Sequence, residues 1–211
     1  MKEFKLYAIT GEQFHPGRGL VEVMEEALQG GCDIIQLRDK KSAKRDVLHK
    51  ARALRELTLR YGATFIVNDH IDIALAVDAD GIHLGQDDLP LAEARKIVGS
   101  KIIGISTHAI EEARQAERDG ADYIGVGPIF PTQSKEDVVA PVTTEYVSQV
   151  AAEIRIPFVA IGGIKLHNVD QVLQAGASRI CAISEIVGSS DVRGTSQSFV
   201  AKIDAAARSR A

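Results

Sequence analysis

Gly81-Ile82-His83-Leu84-Gly85-Gln86-Asp87-Asp88 carries in eight residues the pattern that decides the fold: a short apolar, β-rich run breaks off into a polar cluster. Seven further runs of the same kind lie along the chain: 4–9, 33–37, 64–67, 101–105, 123–126, 157–161 and 179–183. Between them stand longer segments with apolar residues at helical spacing, such as Val47, Leu48, Ala51 and Leu54, or Val169, Val172 and Leu173. Gly30-Gly31, Gly99, Gly120 and Gly176 fall between such a segment and the next strand, where a helix-ending residue of positive φ is most easily a glycine.

Strands that are apolar without strict alternation, joined by crossover helices, imply a parallel sheet with helices on its outer face. Eight repeats of roughly 26 residues reach the lower end of the size range of a closed barrel, whereas doubly wound sheets usually have five or six strands. The expected fold is α/β, with residues 1–211 forming one (β/α)8 TIM barrel domain.

The chain has 211 residues, 45% of them hydrophobic, and a formal net charge of −4. The charges are intermixed, without the like-charged block of a nucleic-acid-binding arm, so no nucleic acid is expected as partner. Cys32 and Cys181 are far apart and each enters an apolar run, which reads as two buried thiols in a reducing compartment. The first ten residues are too short and too charged for a signal peptide or membrane span, so no membrane association and a cytoplasmic location are expected. Helix exteriors show no long apolar seam, leaving homo-oligomerisation open. Residues 189–197, rich in small polar side chains, are expected to be a mobile connection before a last helix ending near Arg208.

In such barrels the working residues sit where strands run out into the loops before the following helices, and the unusual polar residues gather there. Arg38 and Lys40 alternate on one extended segment after strand two; with Lys135 they suit a multiply charged anion such as a diphosphate. Asp69 and Asp88 end neighbouring strands, so their carboxylates either converge on a hard cation, Mg²⁺ being the natural one, or cap the helices that follow. His70, His83 and His108 lack the spacing of a zinc helix. Gly162-Gly163 after strand seven, with Ile183-Ser184 after strand eight, marks the place where barrels often bind phosphate through backbone N–H groups; a tight turn is the plainer reading. The loop 127–142 exceeds the usual length of such a connection and is expected to act as a lid.

Six ordered segments, 36–40 (QLRDK), 67–69 (VND), 79–88 (ADGIHLGQDD), 104–108 (GISTH), 125–132 (GVGPIFPT) and 161–164 (IGGI), resemble the thiamine-phosphate synthase family over nearly the whole chain. The resemblance implies a transferase that condenses two small phosphorylated substrates to thiamine phosphate, releasing diphosphate. These are 4-amino-2-methyl-5-(diphosphooxymethyl)pyrimidine and 4-methyl-5-(2-phosphoethyl)thiazole or its carboxylated form. It implies that Gln36, Arg38, Lys40, Asn68, Ser106 and Lys135 hold the pyrimidine and its diphosphate, that Asp69 and Asp88 carry Mg²⁺, and that Thr132, Gln133, Ser134, Gly163, Ile183 and Ser184 meet the thiazole phosphate. The implied route is dissociative: diphosphate leaves to give a pyrimidinylmethyl cation, which the thiazole nitrogen captures.

Four positions depart from the family pattern: Gly11 where aspartate is common, His70 for arginine, Ser134 for threonine, and Glu185 for alanine. Glu185 puts a negative charge beside the expected thiazole-phosphate site. Two rival readings share the fold: a metal-free thiazole tautomerase with His108 as proton carrier, against which the Arg38, Lys40, Asp69 and Asp88 cluster argues, and a barrel that binds thiamine intermediates without turnover.

Overall fold

A computed structural model describes residues 1–132, 134 and 140–210. Eight strands form a closed, all-parallel barrel in sequence order: β1 Leu6–Ile9, β2 Ile34–Leu37, β3 Thr64–Asn68, β4 Gly81–Leu84, β5 Ile102–Thr107, β6 Tyr123–Val126, β7 Phe158–Ile161 and β8 Ile180–Ala182. Closure is direct, because β1 pairs with both β2 and β8, with Leu6 opposite Ile180 and Tyr7 opposite Ile34. The outer layer consists of α1 Leu20–Gln29, α2 Lys44–Tyr61, α3 Ile71–Ala76, α4 Leu91–Val98, α5 Ile110–Arg118, α6 Thr143–Glu153, α7 Val169–Gln174, α8 Ser184–Val187 and α9 Val192–Arg210. Every strand runs the same way, so all βα loops open on one face and the αβ loops on the other.

The helices bury the stripes that their periodicity announces, such as Val47, Ala51 and Leu54 in α2 and Val169, Val172 and Leu173 in α7. Cys32 and Cys181 are buried and form no disulfide. The N-terminal end of the barrel is sealed by Phe4, whose ring meets Tyr7 and Tyr123 edge-on, and by the Arg179 guanidinium 5.3 Å from the Phe4 ring centroid.

Two expectations need correction. Gly30 does not take the positive φ expected of it but sits at φ −82°, and a Cβ there would stand 2.5 Å from Arg193 O and Ser196 Cβ, so its smallness admits α9. Residues 192–197 are not a connection but the first turns of α9. Val192, Ser196, Phe199 and Ile203 form its buried stripe, the Ser196 hydroxyl donates to Val192 O, and Asp191 accepts from the Gly194 N–H. Small polar residues thus satisfy their hydrogen bonds inside the helix, and the apolar ones at helical spacing decide the outcome.

Candidate active site

On the βα face lies a cavity of ≈ 1280 Å³, lined by Arg38, Lys40, Asn68, Asp69, Asp88, Ser106, Thr132, Ser134, Gly163, Ile183 and Ser184 among others. This exceeds the roughly 300–1,000 Å³ of an ordinary single-ligand site. The sequence-predicted residues are therefore drawn together with three exceptions. Gln133 and Lys135 lie outside the described residues, as does part of the expected lid. Gln36 is 2% exposed and lies deeper, inside the barrel, where its amide donates to the Tyr7 hydroxyl at 2.6 Å.

The loop after β2 is held by Asp39 together with Thr10 and Lys50, which lie outside the six segments. The Thr10 hydroxyl accepts from Arg38 N at 2.9 Å and donates to Arg38 O at 3.1 Å, fixing the backbone of the cation that faces the cavity. Asp39 turns away from the cavity, accepting from the N–H groups of Lys41 and Ser42 and pairing with Lys50 at 2.7 Å. Burial alone would raise its pKa, but the bonds from Lys50, Ser42 and Lys41 outweigh that and hold it well below the usual carboxylate range. Lys50 also pairs with Glu12, tying this loop to the one after β1. His70 adds a contact from its ring to Asp39 O at 3.4 Å.

Asp69 has φ 59°, a left-handed conformation that aspartate tolerates better than most side chains but that still stores strain at the mouth of the barrel. Its carboxylate lies 3.4 Å from the Lys40 ammonium. Its pKa is raised, first by burial and then by the negative charge of Asp88, with Lys40 opposing both. Asp88 accepts from the Gly85 N–H at 2.7 Å. The N-cap positions of α3 and α4 are His70 and Pro90 rather than the two aspartates, and neither makes a side-chain cap bond. Two carboxylates forced together in a partly buried place fit a hard divalent cation that draws its remaining ligands from phosphate oxygens and water. Among the described residues no group of three or more His, Cys, Asp or Glu is arranged to hold a metal by itself.

On the opposite arc of the ring hydroxyls and glycines gather, with Lys165 also in the lining. Thr132 donates to Ser134 at 3.2 Å, and Ser134 in turn to Ser184 at 3.2 Å. Gly162 and Gly163 have φ 99° and 64°. Beside the phosphate-binding and tight-turn readings of these glycines, their surroundings give a packing reason. A Cβ on Gly162 would stand 2.4 Å from Pro128 Cα, and one on Gly163 2.6 Å from Pro131 O, so the loops after β6 and β7 pack backbone against backbone. Glu185 stands outside the described lining of this cavity, and its carboxylate accepts from the Leu166 N–H at 3.3 Å. Gly11 leaves room for Phe14, which lines the cavity; a Cβ there would come within 2.8 Å of the Phe14 ring. His108, also in the lining, donates Nδ1–H to Gly127 O at 2.6 Å.

A family model for thiamine monophosphate synthase matches residues 6–186. The chain belongs to the thiamine-phosphate synthase family. A thiamine-phosphate synthase of Halalkalibacterium halodurans is 74% identical over 200 residues, covering 94% of this chain and 95% of that one. Its counterpart from Shouchella clausii is 65% identical, covering 99% and 100%. A solved thiamine phosphate pyrophosphorylase from Pyrococcus furiosus superposes with a TM-score of 0.88 at 39% identity over 96% of both chains. A 3-hexulose-6-phosphate synthase with a TM-score of 0.66 and 17% identity shares the fold alone. The chain is thus a transferase of thiamine biosynthesis acting on small phosphorylated substrates, and the relatives carry the synthase name rather than that of the tautomerase rival. Among the described residues no helix is long and apolar enough to cross a membrane.

Proposed function

We propose that the cavity binds the pyrimidine diphosphate along β2–β5 and the thiazole phosphate along β6–β8, and that coupling proceeds by departure of diphosphate before attack. The observation that carries this reading is the meeting of Asp69 and Asp88 beside Lys40 and Arg38, across the barrel mouth from the Thr132, Ser134, Ser184 and Gly163 group. Arg38 and Lys40 bind diphosphate oxygens, and Asp69 and Asp88 hold Mg²⁺. When bound, Mg²⁺ supplies positive charge to the diphosphate as it takes up the electrons of the breaking bond.

The CH2–O bond of the pyrimidine breaks with its electron pair going to the diphosphate, leaving a cation delocalised over the aminopyrimidine ring. The thiazole nitrogen then donates its lone pair to that carbon, forming the C–N bond and a thiazolium. No proton is removed in either step, and Arg38 and Lys40 in the lining suit stabilisation of a departing anion. Asn68 and Ser106 orient the pyrimidine, and the hydroxyls of Thr132, Ser134 and Ser184 with the Gly163 backbone fix the thiazole phosphate, so that two reactants meet already oriented. Lys135 and Gln133 are assigned to the same two anions on the family resemblance. Cytoplasmic location belongs to the same reading.

Asp69→Asn and Asp88→Asn test it: each retains shape but removes a charge. Product formation with both substrates should fall at least about 100-fold and Mg²⁺ saturation should move to higher concentration. Unchanged turnover and Mg²⁺ dependence in both variants would remove the metal assignment.

A further inference from the structure

Below the cavity a line of polar side chains crosses the barrel interior. Gln36 Nε2 lies 2.6 Å from Tyr7 Oη, Tyr7 Oη 2.9 Å from Tyr123 Oη, Tyr123 Oη 2.9 Å from His83 Nδ1, and His83 Nε2 2.9 Å from Ser106 Oγ. It runs from Gln36 on β2, which the family resemblance assigns to the pyrimidine and which lies beneath the cavity, to Ser106 on β5, which lines it. We propose that Tyr7, Tyr123 and His83 are positioning residues of the coupling reaction: their hydrogen-bond chain has a single direction, which sets the atoms that Gln36 and Ser106 present to the aminopyrimidine. The proposal rests on the reading that Gln36 and Ser106 hold that ring.

The direction follows from proton counting. Burial is the largest cause of the raised pKa of both phenols, so each keeps its one proton. With Gln36 donating to Tyr7, the Tyr7 proton goes to Tyr123 and the Tyr123 proton to His83 Nδ1. His83 therefore carries its proton on Nε2 and donates it to Ser106, whose own proton is left for the cavity. The Gln36 carbonyl is likewise left as an acceptor. An aminopyrimidine offers the complement, amine N–H donors and ring-nitrogen acceptors. As the C–O bond breaks, positive charge spreads onto the amine and its bond to an acceptor strengthens, a contact that favours the transition state over the ground state. The reverse direction would set donors against the amine.

The fold makes room for this chain. His83 on β4 and Tyr123 on β6 are separated by β5, and both register with Gly104. A Cβ on Gly104 would lie 2.1–2.4 Å from three Tyr123 ring and hydroxyl atoms, so only a missing side chain lets the two meet across the intervening strand. Phe4 and Arg179 seal the barrel beneath, and Tyr7 and Tyr123 are 1% and 0% exposed. In such a place each polar group depends on its protein partner, and the direction at one end constrains the other.

Two measurements test the proposal. In ligand-free protein carrying ¹⁵N-histidine, wild-type His83 should have a protonated Nε2 and a bare Nδ1. Gln36→Glu, once ionised, can only accept from Tyr7; it should reverse the chain and protonate Nδ1, and Gln36→Glu with Tyr7→Phe should abolish that response by cutting the chain. A bare Nδ1 throughout the titration of Gln36→Glu overturns the proposal, as does an equal response in the double variant, which would be a field effect alone. In turnover, Tyr7→Phe and Tyr123→Phe should each raise KM for the pyrimidine diphosphate by about tenfold, the loss of roughly one hydrogen bond, and leave KM for the thiazole phosphate within about twofold. Equal changes in both KM values, or none, also overturn it. Absence of coupling by folded wild-type protein would instead defeat the functional reading, and the histidine signals would still decide the chain.

Discussion

Gly163 and Gly62 have the same φ, 64°, but opposite surroundings, and the pair separates backbone strain from packing. A Cβ on Gly62, just after α2, would meet nothing within 4 Å, whereas one on Gly163 would stand 2.6 Å from Pro131 O, 2.8 Å from Phe130 Cβ and 2.9 Å from Phe130 O. An alanine in the left-handed region costs about 1 kcal/mol at either position. Only Gly163→Ala adds the displacement of a neighbouring main chain, which cannot rotate away as a side-chain tip can; forced overpacking of this kind costs roughly 1–3 kcal/mol more. Gly62→Ala should therefore lower Tm by about 2–4 °C and Gly163→Ala by about 4–16 °C for a chain of this length. Calorimetric melts of the two variants beside wild type make the comparison. Because the Gly163 backbone lines the expected thiazole-phosphate end, its variant should also raise KM for that substrate and spare KM for the pyrimidine. Equal losses of Tm in the two variants would refute the claim that the loops after β6 and β7 pack backbone to backbone at this glycine.

Three further outcomes are expected. The raised pKa of Asp69 means that the native state holds more protons than the unfolded chain above the unfolded aspartate value near ~3.9, so without Mg²⁺ stability falls as pH rises through the window up to the folded value. Asp69→Asn should remove that fall, and denaturant titrations from about pH 4 to 7 will show whether the variant gains on wild type as pH rises. Asp39 has the opposite sign: its depressed pKa gives stability above the unfolded value that is lost as pH falls, and Lys50→Met should lower stability at neutral pH and flatten the acid-side loss. Glu185→Ala should leave KM for the thiazole phosphate unimpaired, since the carboxylate bonds Leu166 N–H; a large rise would reveal a positive role for Glu185.

How much of this was legible in the sequence depends on the range of the interactions. The eight strands and the polar residues after them are local patterns, so the barrel and the grouping of Arg38, Asp69, Asp88, Ser106 and Ser184 follow from reading along the chain. The first turns of α9 were hidden because Gly194, Thr195 and Ser196 are typical of linkers, and only the spacing of Val192, Phe199 and Ile203 speaks for a helix. Gln36 was assigned to the substrate surface, yet its position at the end of a strand does not show how deep in the barrel it lies. Tyr7 and Tyr123 look like ordinary strand aromatics, because their hydrogen bonds join residues 116 positions apart and exist only once the barrel has closed. The Thr10 and Lys50 supports of the β2 loop share that non-local origin.

The most direct test follows diphosphate release in a single turnover with both substrates, first after complete chelation of divalent metal and then with Mg²⁺ restored. Release should be suppressed by chelation and recovered by Mg²⁺ in the wild type, with little recovery when Asp69 and Asp88 are both asparagine. Full-rate release from the chelated enzyme, or full recovery in the doubly substituted one, would contradict a metal–diphosphate site at the mouth of this barrel.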